Sequence, residues 1–135
     1  GINVPRTLVT ENVDDAIKAF KEFGKDVVIK PIFGSRGIGA SRVTDADTAE
    51  RIFRTLRFYH HVVYVQEFIP HGKNDIRAFV IGDRVIASMY RISSGWKKNI
   101  SQGAVPVKAY LNEEMEKIAV KACKAVGCEI MIKCL

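Results

Sequence analysis

Residues 27–40 read VVIKPIFGSRGIGA, and this stretch decides the fold. Val27, Val28 and Ile29 form a β-branched run that ends in Lys30 and is stopped by Pro31, which predicts a short strand. Gly34, Gly37 and Gly39 follow within a few residues, and Ser41-Arg42-Val43 is extended again, so the stretch predicts a hairpin with a glycine-rich connection. Such a connection lets the backbone approach an anion closely and turn several N–H groups towards it. Lys30 and Arg36 would add positive charge. A Walker A loop needs Gly-Lys-Ser/Thr at the opening of a helix, which is absent here, and the Rossmann spacing is absent too. Taken alone, the stretch is equally compatible with an ordinary flexible hairpin.

Two more stretches carry candidate chemistry. Residues 63–77, VYVQEFIPHGKNDIR, deliver Gln66, Glu67 and Phe68 at a strand end and then Asp75-Ile76-Arg77. Glu67 and Phe68 could offer a backbone edge and an apolar wall to a purine, and Asp75 could accept from a ribose hydroxyl or a lysine. Edge-strand and hairpin positions are the plain alternative. Residues 91–104, RISSGWKKNISQGA, combine Arg91, Lys97, Lys98 and Asn99 with Trp96 in what reads as a loop between strand and helix. That loop is either a cationic ligand contact or a solvated surface.

Outward from these stretches, Thr7-Leu8-Val9 is a short extended run. Val13, Ala16, Ile17, Phe20 and Phe23 follow the three-and-four spacing of an amphipathic helix, capped by Thr10 or Asn12 and stopped by Gly24. A second helix is expected from Asp45 to Leu56, and strands over 62–68, 76–81 and 85–90. The last two strands are joined by the turn Gly82-Asp83-Arg84. Asn112 caps a helix over 113–126, and Glu129 to Leu135 reads as a final strand. The order points to an α+β fold rather than a regular βαβ array.

Composition narrows the function classes. The chain has 135 residues, is 47% hydrophobic and carries a net formal charge of +6. It is long enough for one compact domain with a real core, and disordered or collagen-like classes are excluded. No apolar run approaches the roughly 18 residues of a membrane span. The positive charge is spread along the chain, which suits a phosphate-bearing small molecule better than nucleic acid. Phe68, Phe79 and Tyr90 could stack on bases, although burial against helices is the expectation for them. Cys123, Cys128 and Cys134 are odd in number, with no CxxC pair, which argues against disulfides or zinc and for small buried thiols in a reducing cytoplasm. His60, His61 and His71 read as surface or strand-end residues. The start, Gly1-Ile2-Asn3-Val4-Pro5, has neither an initiator Met nor a signal-peptide layout, so excision from a longer chain is expected.

In sequence order, the features are a lysine on a strand, a glycine hairpin, Gln-Glu-Phe-Ile, Asp-Ile-Arg, VIGDRVIA, and an arginine followed by Lys-x-Asn. This order resembles the ATP-grasp ligases. Within them the chain is similar to the RimK-type branch, which joins glutamate or a related amino acid to a carboxylate. The similarity runs furthest towards archaeal ligases that add glutamate to tetrahydromethanopterin. DIRAFVIGDRVIASMYR and WKKNISQGA are its most branch-specific parts. The resemblance implies a lid subdomain over about 10–68 and part of the catalytic core over 69–135. It implies ATP and magnesium as cofactors, and a carboxylate acceptor and an amino acid such as glutamate as partners. Lys30 matches the nucleotide-binding lysine, and Gly34, Ser35, Arg36, Gly37 and Gly39 match the loop that closes over phosphates. Glu67 and Phe68 match the hinge that holds adenine, and Asp75 matches an acidic ATP contact. Lys97, Lys98 and Asn99 match a basic segment near the phosphates, and Arg77 and Arg91 match arginines that face the carboxylate or the γ-phosphate. The rival reading is a non-catalytic module that binds nucleotide or RNA phosphate.

The resemblance breaks at the C-terminal strand. The family's Gly-Val-Asp, with its magnesium-ligating Asp, is replaced by Ile132-Lys133-Cys134, and a thiol is no substitute for a hard oxygen ligand. The expectation is a ligase fragment with much of an ATP site, an incomplete metal site, and no turnover of its own.

Overall fold

The structure, a computed structural model, describes residues 2–34 and 36–134. They form two compact units, one spanning Val4–Pro70 and the other made of residues 2–3 and those from His71 onward. Each unit is an antiparallel four-stranded sheet with helix on one face, so the fold is α+β.

The first unit contains β1 (Thr7–Thr10), α1 (Val13–Glu22), β2 (Val27–Lys30), β3 (Ser41–Val43), α2 (Ala46–Phe58) and β4 (Val63–Glu67). Its strand order is β1-β4-β2-β3. Asn12 caps α1 by accepting from the Asp14 and Asp15 N–H groups, and Asp45 caps α2 by accepting from Thr48 N–H. Thr10 supports the first cap by accepting from Asn12 N–H at 2.9 Å. Period-two alternation sends Val27, Ile29, Val43, Val63 and Val65 to the helix side. There they bury with Ala16, Ala19 and Phe20 of α1 and with Ala49 and Phe53 of α2. The opposite face carries Thr7, Val28, Lys30, Arg42, Tyr64 and Gln66, as the strand registers require.

The second unit contains β5 (Asn74–Ile81), β6 (Arg84–Ile92), a 3-10 turn (Ile100–Gln102), β7 (Val105–Lys108), α3 (Glu113–Ala125) and β8 (Ile130–Cys134), with strand order β7-β6-β5-β8. Ala78 and Val80 pack on Ala119 and Cys123 of α3. A bulge lies opposite Phe79/Val80, where Ile86 is the extra residue of β6. It turns Val85 towards α3, while Ala87, Met89 and Arg91, of the same parity, stay on the other face beside Phe79, Arg77 and Asp75.

Several expectations are corrected. Residues 91–104 do not run straight into a helix, because β7 intervenes. Pro106 obscures this strand in the sequence, and β7 tolerates it because it lies at the sheet edge. Helix α2 extends to Phe58, past Leu56. Of the three cysteines only Cys123 is buried. Cys128 follows the end of α3, and Cys134 lies on the exposed side of β8, so the buried-thiol reading fails for both. Phe79 faces away from α3 rather than into it. The three histidines are exposed, as expected.

Phe53 is fully buried between α2 and the sheet. Truncating such a side chain removes its transfer free energy and leaves a cavity. Phe53→Ala is therefore expected to destabilise residues 4–70 by about 3–5 kcal/mol, read from urea unfolding.

Candidate functional site

In the first unit, Lys30 is the last residue of β2, and its ammonium lies on the sheet face away from the helices. Its Nζ donates to Gln66 Oε1 at 2.8 Å and sits 5.0 Å from the centre of the Tyr64 ring. Gln66 in turn donates from Nε2 to Thr7 Oγ1 at 2.7 Å. Thr7 donates its own hydroxyl proton to Pro5 C=O at 3.0 Å. This chain of donors fixes the Gln66 amide with its oxygen towards Lys30. Burial pushes the Lys30 ammonium below the usual lysine range. Gln66 is a neutral amide, so this hydrogen bond orients the ammonium without cancelling its charge.

The glycine loop joins β2 to β3 as a hairpin. Gly37 and Gly39 adopt φ of 73° and 77°. A Cβ at Gly39 would stand 3.2 Å from Pro31 Cδ, and one at Gly34 would stand 3.1 Å from Pro31 Cγ. These two glycines therefore let the loop fold back on Pro31, and Gly39 also needs its left-handed backbone. Arg36 is exposed and left-handed. Ser35, expected here as a phosphate contact, lies outside the described residues.

At the end of β4 the two hinge residues part company. Glu67 turns to Arg6, accepting from its backbone N–H at 2.9 Å and its Nε at 2.5 Å. These bonds hold its carboxyl below the usual carboxylate range. Phe68 donates its N–H to Asp26 C=O at 2.9 Å, and its ring lies under the Arg42 guanidinium at 3.6 Å. Arg42 also grips the Asp26 carboxylate through Nε at 2.8 Å and NH2 at 2.7 Å. Arg6, Asp26, Arg42 and the Gln66–Thr7 link had escaped the sequence reading. Sequence spacing gives no hint of them, because they meet only through strand pairing.

In the second unit, β5 and β6 place Asp75 directly opposite Arg91 and Arg77 opposite Met89. Asp75 and Arg91 form a bidentate ion pair through Nε, at 2.8 Å, and NH2. The Arg91 side chain is only 6% exposed, so this pair is largely withdrawn from water. Arg91 NH2 also donates to Cys134 Sγ at 3.1 Å. Among the described residues, Arg77 Nε is a buried nitrogen without a hydrogen-bond partner. Lys98 turns inward, donating to the Ser93 and Gly95 carbonyls at 2.7 Å each. It staples its own loop, while Lys97 lies 5.2 Å from the Trp96 ring centre. Asn99 opens the 3-10 turn, its backbone C=O accepting from Gln102 N–H at 2.8 Å.

The RimK-like ATP-grasp domain matches residues 1–132, and the chain belongs to this family. The tetrahydromethanopterin:alpha-L-glutamate ligase of Methanococcus maripaludis is 44% identical over 128 residues, covering 91% of this chain and 44% of that protein. The alpha-aminoadipate–LysW ligase LysX of Sulfurisphaera tokodaii is 34% identical over 133 residues, covering 94% of this chain and 46% of that protein. The chain thus spans less than half the length of these curated relatives. Among solved structures, the ATP-grasp ligase PsnB, complexed with a phosphomimetic precursor variant, Mg and ADP, superposes with a TM-score of 0.74 at 25% identity. It covers 99% of this chain and 40% of that one. The D-alanine–D-alanine ligase of Bacillus anthracis, bound to ATP, shares the fold with a TM-score of 0.67 at 15% identity, covering 98% of this chain and 41% of that one.

Arg42 holds the Asp26 carboxyl below its usual range. Because the folded value lies below the unfolded one, the pair's contribution is complete above the unfolded carboxylate value and is lost as pH falls through the folded value. The gap in urea midpoint between the native chain and Asp26→Asn is expected to be widest near pH ~7. It should close below about pH 4, in unfolding curves recorded across that range.

Proposed function

We propose that the chain is the nucleotide-binding part of an ATP-dependent carboxylate–amine ligase, which joins glutamate or a related amino acid to a carboxylate acceptor. The carrying observation is the Lys30 ammonium, half-buried and held by Gln66 and Tyr64, in a chain of the RimK-like ATP-grasp family. The names of the relatives favour this reading over a non-catalytic phosphate-binding module.

In such a ligase the acceptor carboxylate attacks the γ-phosphorus of ATP, ADP leaves, and an acylphosphate forms. The amine then attacks the acyl carbon, phosphate leaves with the former C–O bond's electrons, and the amine's proton passes to solvent or base. Neither step calls for a protein nucleophile. The protein's part is to position anions and offset their charge. Lys30 would face the nucleotide phosphates, with the loop of Gly34, Arg36, Gly37 and Gly39 beside it. Glu67 and Phe68 would border the base. In the second unit, Arg77 would receive an anion, a role its unpartnered Nε supports. Arg91 would act from its pair with Asp75, and Lys97 and Asn99 would lie near phosphate, their loop held in shape by Lys98. The three free cysteines suit a reducing, cytoplasmic setting. No helix among the described residues is long and apolar enough to cross a membrane.

The donors present do not fit a magnesium site. No group of three or more His, Cys, Asp or Glu residues that could hold a metal occurs among the described residues. At β8 the side chain beside Arg91 is the soft thiol of Cys134, where magnesium requires hard oxygens.

Lys30→Ala is expected to weaken ATP binding by about 1.5–3 kcal/mol, the scale of a charge-assisted hydrogen bond, measured by calorimetric titration. Native ATP affinity in this variant would remove Lys30 from the site.

A further inference from the structure

We infer that Arg42 and Asp26 are positioning residues that fix Phe68 as the wall of the purine site; the inference rests on the ligase reading above. The three residues come from separate segments: Asp26 just before β2, Arg42 in β3 and Phe68 just after β4. They close into a ring of contacts. Arg42 holds both Asp26 carboxylate oxygens, Asp26 C=O accepts the Phe68 N–H, and the Arg42 guanidinium lies 3.6 Å above the centre of the Phe68 ring. Phe68 is thus held at its backbone and at its ring.

The core of this unit does not require the arrangement. Val43 of the same edge strand turns to the helices and is buried, whereas Arg42 points to the other face, its side chain 35% exposed. An isolated ion pair at such exposure contributes little to stability. Its geometry does something more specific. A guanidinium anchored on two nitrogens has its plane set by the carboxylate, and that plane orients the aromatic ring against it. An aromatic side chain binds a base by presenting a face or edge at a fixed angle, so a ring free to rotate would bind less well. Lys30 and Gln66 lie on the same face of the same sheet, which puts the oriented ring and the ammonium on one surface. Within this site Lys30 serves the phosphates and the Arg42–Asp26 clamp serves the base.

These two roles separate by ligand. Calorimetric titration of the native chain, Arg42→Ala, Arg42→Lys, Asp26→Asn and Lys30→Ala with AMP, ADP and ATP reads both. Arg42→Ala is expected to weaken all three nucleotides by a similar factor, about three- to thirtyfold, because all three share the base. Arg42→Lys should recover little of this, since an ammonium cannot grip both oxygens and lie flat on the ring. Lys30→Ala should instead weaken ADP and ATP more than AMP. Should Arg42→Ala fail to fold, Asp26→Asn carries the same expectation. Native affinity for all three nucleotides in Arg42→Ala or Asp26→Asn, even with a lowered melting temperature, would overturn the inference and leave the ligase reading intact. If the native chain bound none of the three, the ligase reading would fall and the inference with it.

Discussion

The pairing of β2 with β4 is the constraint from which the site follows. Val28 lies opposite Gln66 and Lys30 opposite Tyr64, while Val27, Ile29, Val63 and Val65 enter the core. Side chains alternate with a period of two, so a slip of one residue would drive Lys30 into the apolar layer beneath α1 and α2 and bring the valines out. Burial of those four side chains, together with Phe20 and Phe53, therefore decides where the ammonium stands. Its hydrogen bond to Gln66 and its contact with Tyr64 come from the same register.

The second unit solves a comparable problem with a bulge. Val85 has the parity of Ala87, Met89 and Arg91, yet it must cover α3 while they face the other way. The extra residue Ile86 resolves the conflict. Arg91 can then meet Asp75 across the strands, with Arg77 on the same face. Burying the pair is costly in itself, and the bidentate geometry compensates for lost hydration. The result is an arginine pair fixed on a sheet face, where rigid placement is easier than on a loop.

Much of this was legible in the residues. The helix spacing of Val13 to Phe23, the β-branched run at Val27 and the glycines after Pro31 located their elements to within a residue or two. Lys30 stood out because a lysine ends an otherwise apolar strand. The edge strand Val105–Lys108 was hidden by Pro106, which is penalised in a central strand and harmless at an edge. Arg42 is legible only as part of the short strand Ser41-Arg42-Val43, because its partners are 16 and 26 residues away and become neighbours only through the sheet. Lys98 read as a ligand-facing cation, and only the backbone path of residues 93–98 shows its ammonium turned onto the Ser93 and Gly95 carbonyls. Local periodicity reports on elements, whereas these contacts depend on tertiary pairing.

On the proposed function, one face of the first sheet receives an adenine nucleotide. A two-dimensional NMR titration of the isotopically labelled chain with a non-hydrolysable ATP analogue tests it most directly. Nucleotide binding on this face would give saturable shifts concentrated at the Lys30 side-chain amine, the amides of the glycine loop, and Gln66 to Phe68. Shifts confined to the outer surface of α3, or none at millimolar analogue, would contradict it.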